Sequence, residues 1–150
     1  MKLWVQRVTE ASVTVDTQVC GQIGNGFLVL IGVTHADTEI ELERCLSKLI
    51  DLRVFEDAAG QMNLSIRNTG GAILVVSQFT LYADTRKGNR PGFSYAAPPT
   101  LAEPLYNRFV ERLRQELGTD RVATGIFGAH MQVRLLNDGP VSIEIRFEKP

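Results

Sequence analysis

Side chains able to do chemistry gather at three places in this sequence. The first is Ser77-Gln78-Phe79-Thr80, which follows directly on the apolar run Ala72-Ile73-Leu74-Val75-Val76. A buried strand that stops there leaves two hydroxyls, a carboxamide and an aromatic ring at a sheet end, a common place for a ligand. The competing reading is that Ser77 and Thr80 only satisfy backbone groups of the loop that follows. The second place is Asn137-Asp138-Gly139-Pro140-Val141-Ser142. These are the usual turn residues, and a turn between two strands accounts for them. A Gly-Pro bond can also take the cis form at low cost, which reverses the chain and can turn carbonyl oxygens outward as a rigid wall. The third place is Arg86-Lys87-Gly88-Asn89-Arg90-Pro91-Gly92-Phe93, with three cations beside an aromatic ring. Such a loop can bind phosphates or stack a base, and a merely solvated basic loop has the same composition.

What is missing narrows the chemistry further. A serine hydrolase needs a histidine held near its nucleophile. The two histidines are His35, at a strand-to-helix turn, and His130, between two strands, and each reads first as a surface or packing residue. There is no GxSxG elbow, no HExxH and no Cys/His cluster with zinc spacing. Cys20 and Cys45 have no CxxC neighbour and read as reduced packing thiols. A hydrolase built on this chain does not advertise a catalytic side chain, and neither a metal nor a cofactor is expected.

The elements that must position these groups follow from periodicity. Residues 2–8 and 11–16 read as strands, the latter alternating Val13 and Val15 against Ser12, Thr14 and Asp16. A short strand at 18–23 leads to Asn25-Gly26, read as a tight hairpin turn. Gly21–Gly26 is glycine-rich but leads into a strand, so a phosphate loop is not expected. Phe27–Val33 is apolar at successive positions, the mark of a strand covered on both faces. Thr38 and Glu41 have capping-box spacing ahead of a helix whose apolar face is Ile40, Leu42, Cys45, Leu46, Leu49 and Ile50. Val54-Phe55 reads as a short strand, 58–71 as turn-rich, and 72–76 as another buried strand. Residues 82–99 form a long irregular stretch, and a loop of that length in a compact domain is more often functional than idle. Thr100 and Glu103 suggest a second capping box, opening a helix that stacks Leu105, Phe109, Leu113 and Leu117 and ends at Gly118. Strands at 121–127, 130–136 and 140–147 close the chain. The expected fold is a single α+β domain over residues 1–150, a mostly antiparallel or mixed, barrel-like sheet with two packed helices.

Composition sets the outer limits. The chain has 150 residues, 44% of them hydrophobic, and a net charge of -1. That is enough for a core without disulfides or a structural metal, and it excludes nucleic-acid binding by bulk charge. RNA contact must come from a local patch. No signal-peptide shape opens the sequence, and no apolar run approaches the ~20 residues that span a bilayer. A soluble, cytoplasmic protein with no membrane and no DNA partner is expected.

Taken together, these segments resemble the D-aminoacyl-tRNA deacylase family along almost the whole chain. The resemblance begins at Val5-Gln6-Arg7-Val8 and Ala11-Ser12-Val13-Thr14-Val15 and continues through Gly26–Val33. Its most specific motifs are Ser77-Gln78-Phe79-Thr80-Leu81 and Asn137-Asp138-Gly139-Pro140-Val141. Lys87-Gly88-Asn89-Arg90-Pro91 and Phe127-Gly128-Ala129-His130-Met131 add to it. One departure is Ser142 where the motif usually continues with Thr, which keeps the hydroxyl and loses a methyl.

The resemblance implies a homodimer acting on aminoacyl-tRNA, with its active site near the subunit interface and no metal. Ser77, Gln78, Phe79 and Thr80 would line the catalytic pocket. Gly139 and Pro140, joined by a cis bond, would reach into the partner's pocket and select substrate chirality, supported by Arg7, Val141 and Ser142. Arg86, Lys87 and Arg90 become candidates for tRNA contact. The expected reaction is hydrolysis of the ester of D-aminoacyl-tRNA and of glycyl-tRNA. Two rivals remain: a hydrolase of small-molecule esters, and a non-catalytic tRNA-binding module. A buried strand ending in Ser77–Thr80 speaks against the second, because a pure RNA binder more often carries a broad basic face.

Overall fold

The alternating residues at the start of the chain fold into one strand, not two. In the computed structural model, which describes residues 1–149, β1 (Lys2–Val15) runs unbroken past Thr9 and Glu10. That polar pair marks where β1 changes neighbour. Residues 2–8 pair with β3 (Gly26–Gly32), and residues 11–15 pair with β2 (Gln18–Ile23). The hairpin between β1 and β2 turns at Asp16-Thr17, whose φ values of 46° and 68° suit a two-residue turn. Asn25-Gly26, expected as a hairpin turn, instead carries the chain from β2 to β3 along one edge of β1, so each pairs with β1 and not with the other.

β3 is followed in the sheet by β6 (Ala72–Ser77) and β7 (Val122–Thr124), all three parallel. Parallel strands are covered on both faces, which is why β3 and β6 are apolar at successive positions. Phe27, Val29, Ile31, Ile73 and Val75 pack on one side against α1 (Glu39–Asp51) and α3 (Pro99–Leu117). Leu28, Leu74 and Val76 point the other way and meet Val8, Ala11 and Val13 inside the curled sheet. The two ends of the sheet approach closely: a Cβ on Gly21 of β2 would lie 2.4 Å from the Thr124 carbonyl of β7, so only glycine fits there. The result is a nearly closed, barrel-like mixed sheet with two long helices on one side.

The helix starts differ in a telling way. Thr38 caps α1 as its spacing implies, with Glu41 accepting from the Thr38 N–H at 2.8 Å. Thr100 does not cap α3. That helix opens after Pro98 with Pro99 in its first turn, where a missing N–H costs nothing. The turn-rich stretch after α1 holds a short pair, β4 (Phe55–Glu56) with β5 (Met62–Leu64), and a one-turn α2 (Ile66–Thr69). Before β7, residues 119–121 make a 3₁₀ turn.

The largest departure concerns the end of the chain. The strands expected at 130–136 and 140–147 are one strand, β8 (Gln132–Arg146), antiparallel to β1 over nearly its whole length. No hairpin interrupts it. Gln6 pairs with Ser142 and Val8 with Asn137, so residues 138–141 stand opposite the single residue Arg7. The turn-forming residues build a wide bulge in a continuing strand pair, and bulges re-aim side chains and carbonyls in this way.

Candidate active site

The C-terminal ends of β3 and β6 open onto a cavity of about 540 Å³. It sits where the helix-side core meets the interior of the curled sheet. Ile31 and Val33 close it from β3, Val76, Ser77, Gln78 and Phe79 from β6 and the turn beyond, and Tyr106 from α3. Phe127 to Met131 form the wall opposite, and Phe93 leans in from the long loop. Apolar walls with a few polar groups at one end are what a small organic group needs to be held in one orientation.

Local chemistry explains how the end of β6 is shaped. The Gln78 N–H donates to the Ile31 carbonyl at 2.8 Å and extends the β3–β6 ladder by one bond. Residues 79–82 then turn as a 3₁₀ helix. The N–H groups of Phe79 and Thr80 fall after the ladder and at the opening of that turn. Among the described residues neither has a backbone acceptor. Gln78 Nε2 donates to Thr80 Oγ1, and Thr80, unlike Ser77, Gln78 and Phe79, is not among the residues lining the cavity. The Phe79 ring, 55% exposed, meets Phe93 edge-on with centroids 5.0 Å apart. The pair stands at the mouth.

Gly139 and Pro140 lie elsewhere. They are exposed on the β8 bulge, and the peptide joining them is cis. Following the register, Ser77 pairs with Ile31, Ile31 with Leu3, and Leu3 with Ile145. The bulge faces Arg7, which pairs with Phe27, which pairs with Ile73. It is therefore three strands across and about 13 Å along the sheet from Ser77. Within one chain it does not wall the cavity.

Arg7 supports the bulge from beneath. Its side chain is buried, donating Nε to the Asp138 carbonyl at 2.9 Å and Nη1 to the Val54 carbonyl at 2.5 Å. The Asp138 carboxylate stands 3.5 Å from Nε. A planar guanidinium can hold two carbonyls and a carboxylate at fixed angles in a way an ammonium cannot. Val141 is half-buried against the helix-side core, and Ser142 returns to the ladder opposite Gln6.

Three comparisons bear on what this arrangement is. The family model described as D-Tyr-tRNA(Tyr) deacylase matches residues 4–146. The chain belongs to the D-Tyr-tRNA(Tyr) deacylase family. It is 58% identical to a D-aminoacyl-tRNA deacylase of Symbiobacterium thermophilum, over 97% of this chain and 95% of that one. It is 54% identical to a D-aminoacyl-tRNA deacylase of Chlorobaculum parvum, over 99% of both chains. A solved structure described as a c-Myc DNA unwinding element binding protein superposes with a TM-score of 0.95 at 46% identity, covering 99% of this chain and all of that one. A probable eukaryotic D-amino acid tRNA deacylase shares the fold, with a TM-score of 0.83 at 20% identity over 96% of this chain and 98% of that one.

In this D-Tyr-tRNA(Tyr) deacylase family member the basic loop is well tied at its base and free at its tip. Asp84 and Gly92 exchange backbone hydrogen bonds of 2.7 and 2.9 Å. Arg86 is committed to the Asp84 carboxylate and the Tyr95 hydroxyl, and its hydrogen bonds to Asp84 hold that carboxyl down to about 2. Lys87 and Arg90 are exposed on the tip. His35 binds the Ser94 carbonyl through Nε2 at 2.9 Å and so anchors the loop's far end. His130 is exposed at the cavity wall. Sequence reasoning did not assign Tyr106 or Phe127 to the site, and it read Phe93 only as the aromatic of the basic loop. The cue was an aromatic in a loop of otherwise polar and breaking residues, which packs against another exposed aromatic. Among the described residues no group of three or more His, Cys, Asp or Glu side chains could hold a metal ion, and no helix is long and apolar enough to cross a membrane.

Proposed function

We propose that this chain hydrolyses the ester linking a D-amino acid to the terminal adenosine of tRNA, as the names of its relatives describe for them. The observation that carries this reading is the cavity at the end of β6, lined by Ser77, Gln78 and Phe79, with the unpartnered N–H groups of Phe79 and Thr80 at the turn that follows. The substrate is an activated ester, so its hydrolysis needs modest help. Water attacks the carbonyl carbon, negative charge builds on the carbonyl oxygen, and the two N–H groups stabilise it. In other enzymes one such donor contributes roughly 3–4 kcal/mol. Holding ester and water together removes further entropic cost. The 2′-hydroxyl of the adenosine itself serves as the base acting on water, and the proton ends on the departing 3′-oxygen.

Thr80 as a nucleophile is the weaker alternative. Its hydroxyl accepts from Gln78, and among the described residues no histidine or lysine is hydrogen-bonded to it to take its proton. A Thr80→Ala chain keeps its backbone N–H, so the main-chain mechanism expects turnover within about tenfold of the parent. A dead Thr80→Ala variant that still binds substrate favours the nucleophile.

The proposed working unit is a homodimer. Gly139 and Pro140 of one protomer close the cavity of the other, and their carbonyl oxygens stand where an L side chain would project. A D side chain points away toward solvent, and glycine has nothing to clash. Rejection by shape is needed because L and D residues carry the same atoms. Lys87 and Arg90, and Arg86 through its free face, contact the RNA. Purified protein incubated with D-Tyr-tRNA, Gly-tRNA, L-Tyr-tRNA and free D-tyrosine ester should release amino acid from the first two only. Rapid cleavage of L-Tyr-tRNA removes the chiral wall, cleavage of the free ester alone favours a small-molecule hydrolase, and binding without release favours a tRNA-binding module.

A further inference from the structure

The wall of the cavity has a second side. Val33 lines the cavity and Thr34 a smaller recess of about 390 Å³ behind it. The 3₁₀ turn gives Phe79 to the cavity and Tyr82 to the recess, and the long loop gives Ala96 to one and Tyr95 to the other. Phe79 and Tyr82 are separated by three residues of 3₁₀ helix, about 6 Å.

The recess is lined by Lys2, Arg146 and Lys149 against one carboxylate, Glu148. Lys2 Nζ lies 4.6 Å from the centre of the Tyr82 ring and donates to the Leu81 carbonyl at 3.2 Å. An ammonium has three donors, so two remain. Arg146 binds Glu148 through Nη2, and about half of its side chain is exposed. The rest of its five-donor fork stays available. Lys149 is exposed. Tyr95 is half exposed at the rim and offers a stacking face. The chain as a whole carries a net charge of -1, so three cations against one acid make a local field of opposite sign to the bulk.

We propose that Lys2, Arg146 and Lys149 bind backbone phosphates of the tRNA 3′ strand just upstream of the esterified adenosine, while the ester occupies the cavity across the wall. This rests on the reading of the cavity as an aminoacyl-ester site. A strand leaving the cavity crosses the wall within about two nucleotides, given the 3₁₀ spacing. The recess sets affinity for the RNA and takes no part in the chemistry.

The test compares two substrates, D-Tyr-tRNA and D-tyrosyl-adenosine, which keeps the ester and lacks the phosphates. The variant Lys2→Ala/Arg146→Ala/Lys149→Ala should raise KM for D-Tyr-tRNA about tenfold near physiological salt, leave kcat within about twofold, and flatten the dependence of log(kcat/KM) on log salt by about 2. It should treat D-tyrosyl-adenosine as the parent does. Glu148→Gln, which frees Arg146 and removes the opposing charge, should lower KM for D-Tyr-tRNA. Lys48→Ala, a loss of one cation on α1, should change neither. If the parent cleaves both substrates and the triple variant keeps parental KM and salt slope, the recess is not a phosphate site. Equal loss on both substrates likewise overturns it, because the recess then only supports the fold. A parent that cleaves neither substrate overturns the cavity reading itself.

Discussion

At position 139 the backbone has a φ of 133°, and a Cβ there would lie 2.8 Å from Val141 Cγ2 and 3.1 Å from Arg7 Nη2. Glycine is required by conformation and by space at once. The Arg7 guanidinium sits so close because it holds the Asp138 and Val54 carbonyls, so any side chain at 139 pushes on the group that fixes the bulge. Gly139→Ala should therefore remain folded but lose about 1–3 kcal/mol of stability to backbone strain. Its turnover of D-Tyr-tRNA should fall about 10- to 100-fold, since small misplacements of positioning groups are that costly. Thermal melting and single-turnover deacylation measure the two effects. Parental rates with parental chirality would separate the bulge from catalysis. A second test at this scale concerns the thiols. Cys45 is buried, and burial pushes its thiol up to about 11, while Cys20 is exposed. Thiolate is the reactive form, so a native-state thiol titration should count one fast cysteine, and Cys20→Ser should remove it. Two fast thiols mean that α1 does not stay packed over Cys45.

The elements show where sequence reading succeeds and where it stops. α1 was legible because Thr38 and Glu41 cap it locally and its apolar face repeats at helical spacing, and both signals survive packing. β3 and β6 were legible because strands buried on both faces leave an unbroken apolar run. The bulge in β8 was not. Asn, Asp, Gly and Pro have the same local preferences in a hairpin turn and in a bulge. What decides between them is the unbroken partner strand β1, a contact more than a hundred residues away in sequence. The cap of α3 failed for a different reason, since Pro98-Pro99 starts the helix one step before Thr100 could. The cavity was half legible. Ser77–Phe79 announced themselves by ending a buried strand, whereas Tyr106 entered through α3, whose stripe reads equally well as plain core. The basic loop allows a prediction of its own. Asp84 loses its proton more readily in the folded loop because Arg86 donates to it, so its contribution to loop order is full above the ordinary carboxylate pKa near 4 and is lost as pH falls through about 2. A carboxyl-carbon NMR titration should give Asp84 a midpoint near 2, and Arg86→Gln should return it toward 4. A midpoint near 4 in the parent means that the Arg86 contact does not persist in solution.

At the scale of the whole molecule, the cavity and the bulge lie apart: β8 reaches the cavity at Val133, six residues before Gly139, and neither Gly139 nor Pro140 lines it. If both serve one reaction, they meet across a two-fold axis, where each protomer lends its bulge to the other's cavity. The surface around the bulge has the character such a contact needs. β8 pairs with β1 along one edge, and among the described residues no strand pairs with its other edge. A long unpaired edge invites a partner. Leu135 and Leu136 are exposed beside it, Leu136 by 57%, and they border a groove shared with β1 and β2. Placing a charge there should cost nothing in the isolated fold, because the side chain already faces water. Leu136→Glu should therefore melt as a folded protein yet elute as a monomer in sizing chromatography. On the proposed dimer, a monomer's cavity would lack the partner's Gly139 and Pro140, so its deacylation of D-Tyr-tRNA should fall together with the dimer fraction and recover as protein concentration rises. Concentration-independent activity in a strictly monomeric Leu136→Glu chain would mean that a single protomer holds the whole site. The bulge would then need another purpose.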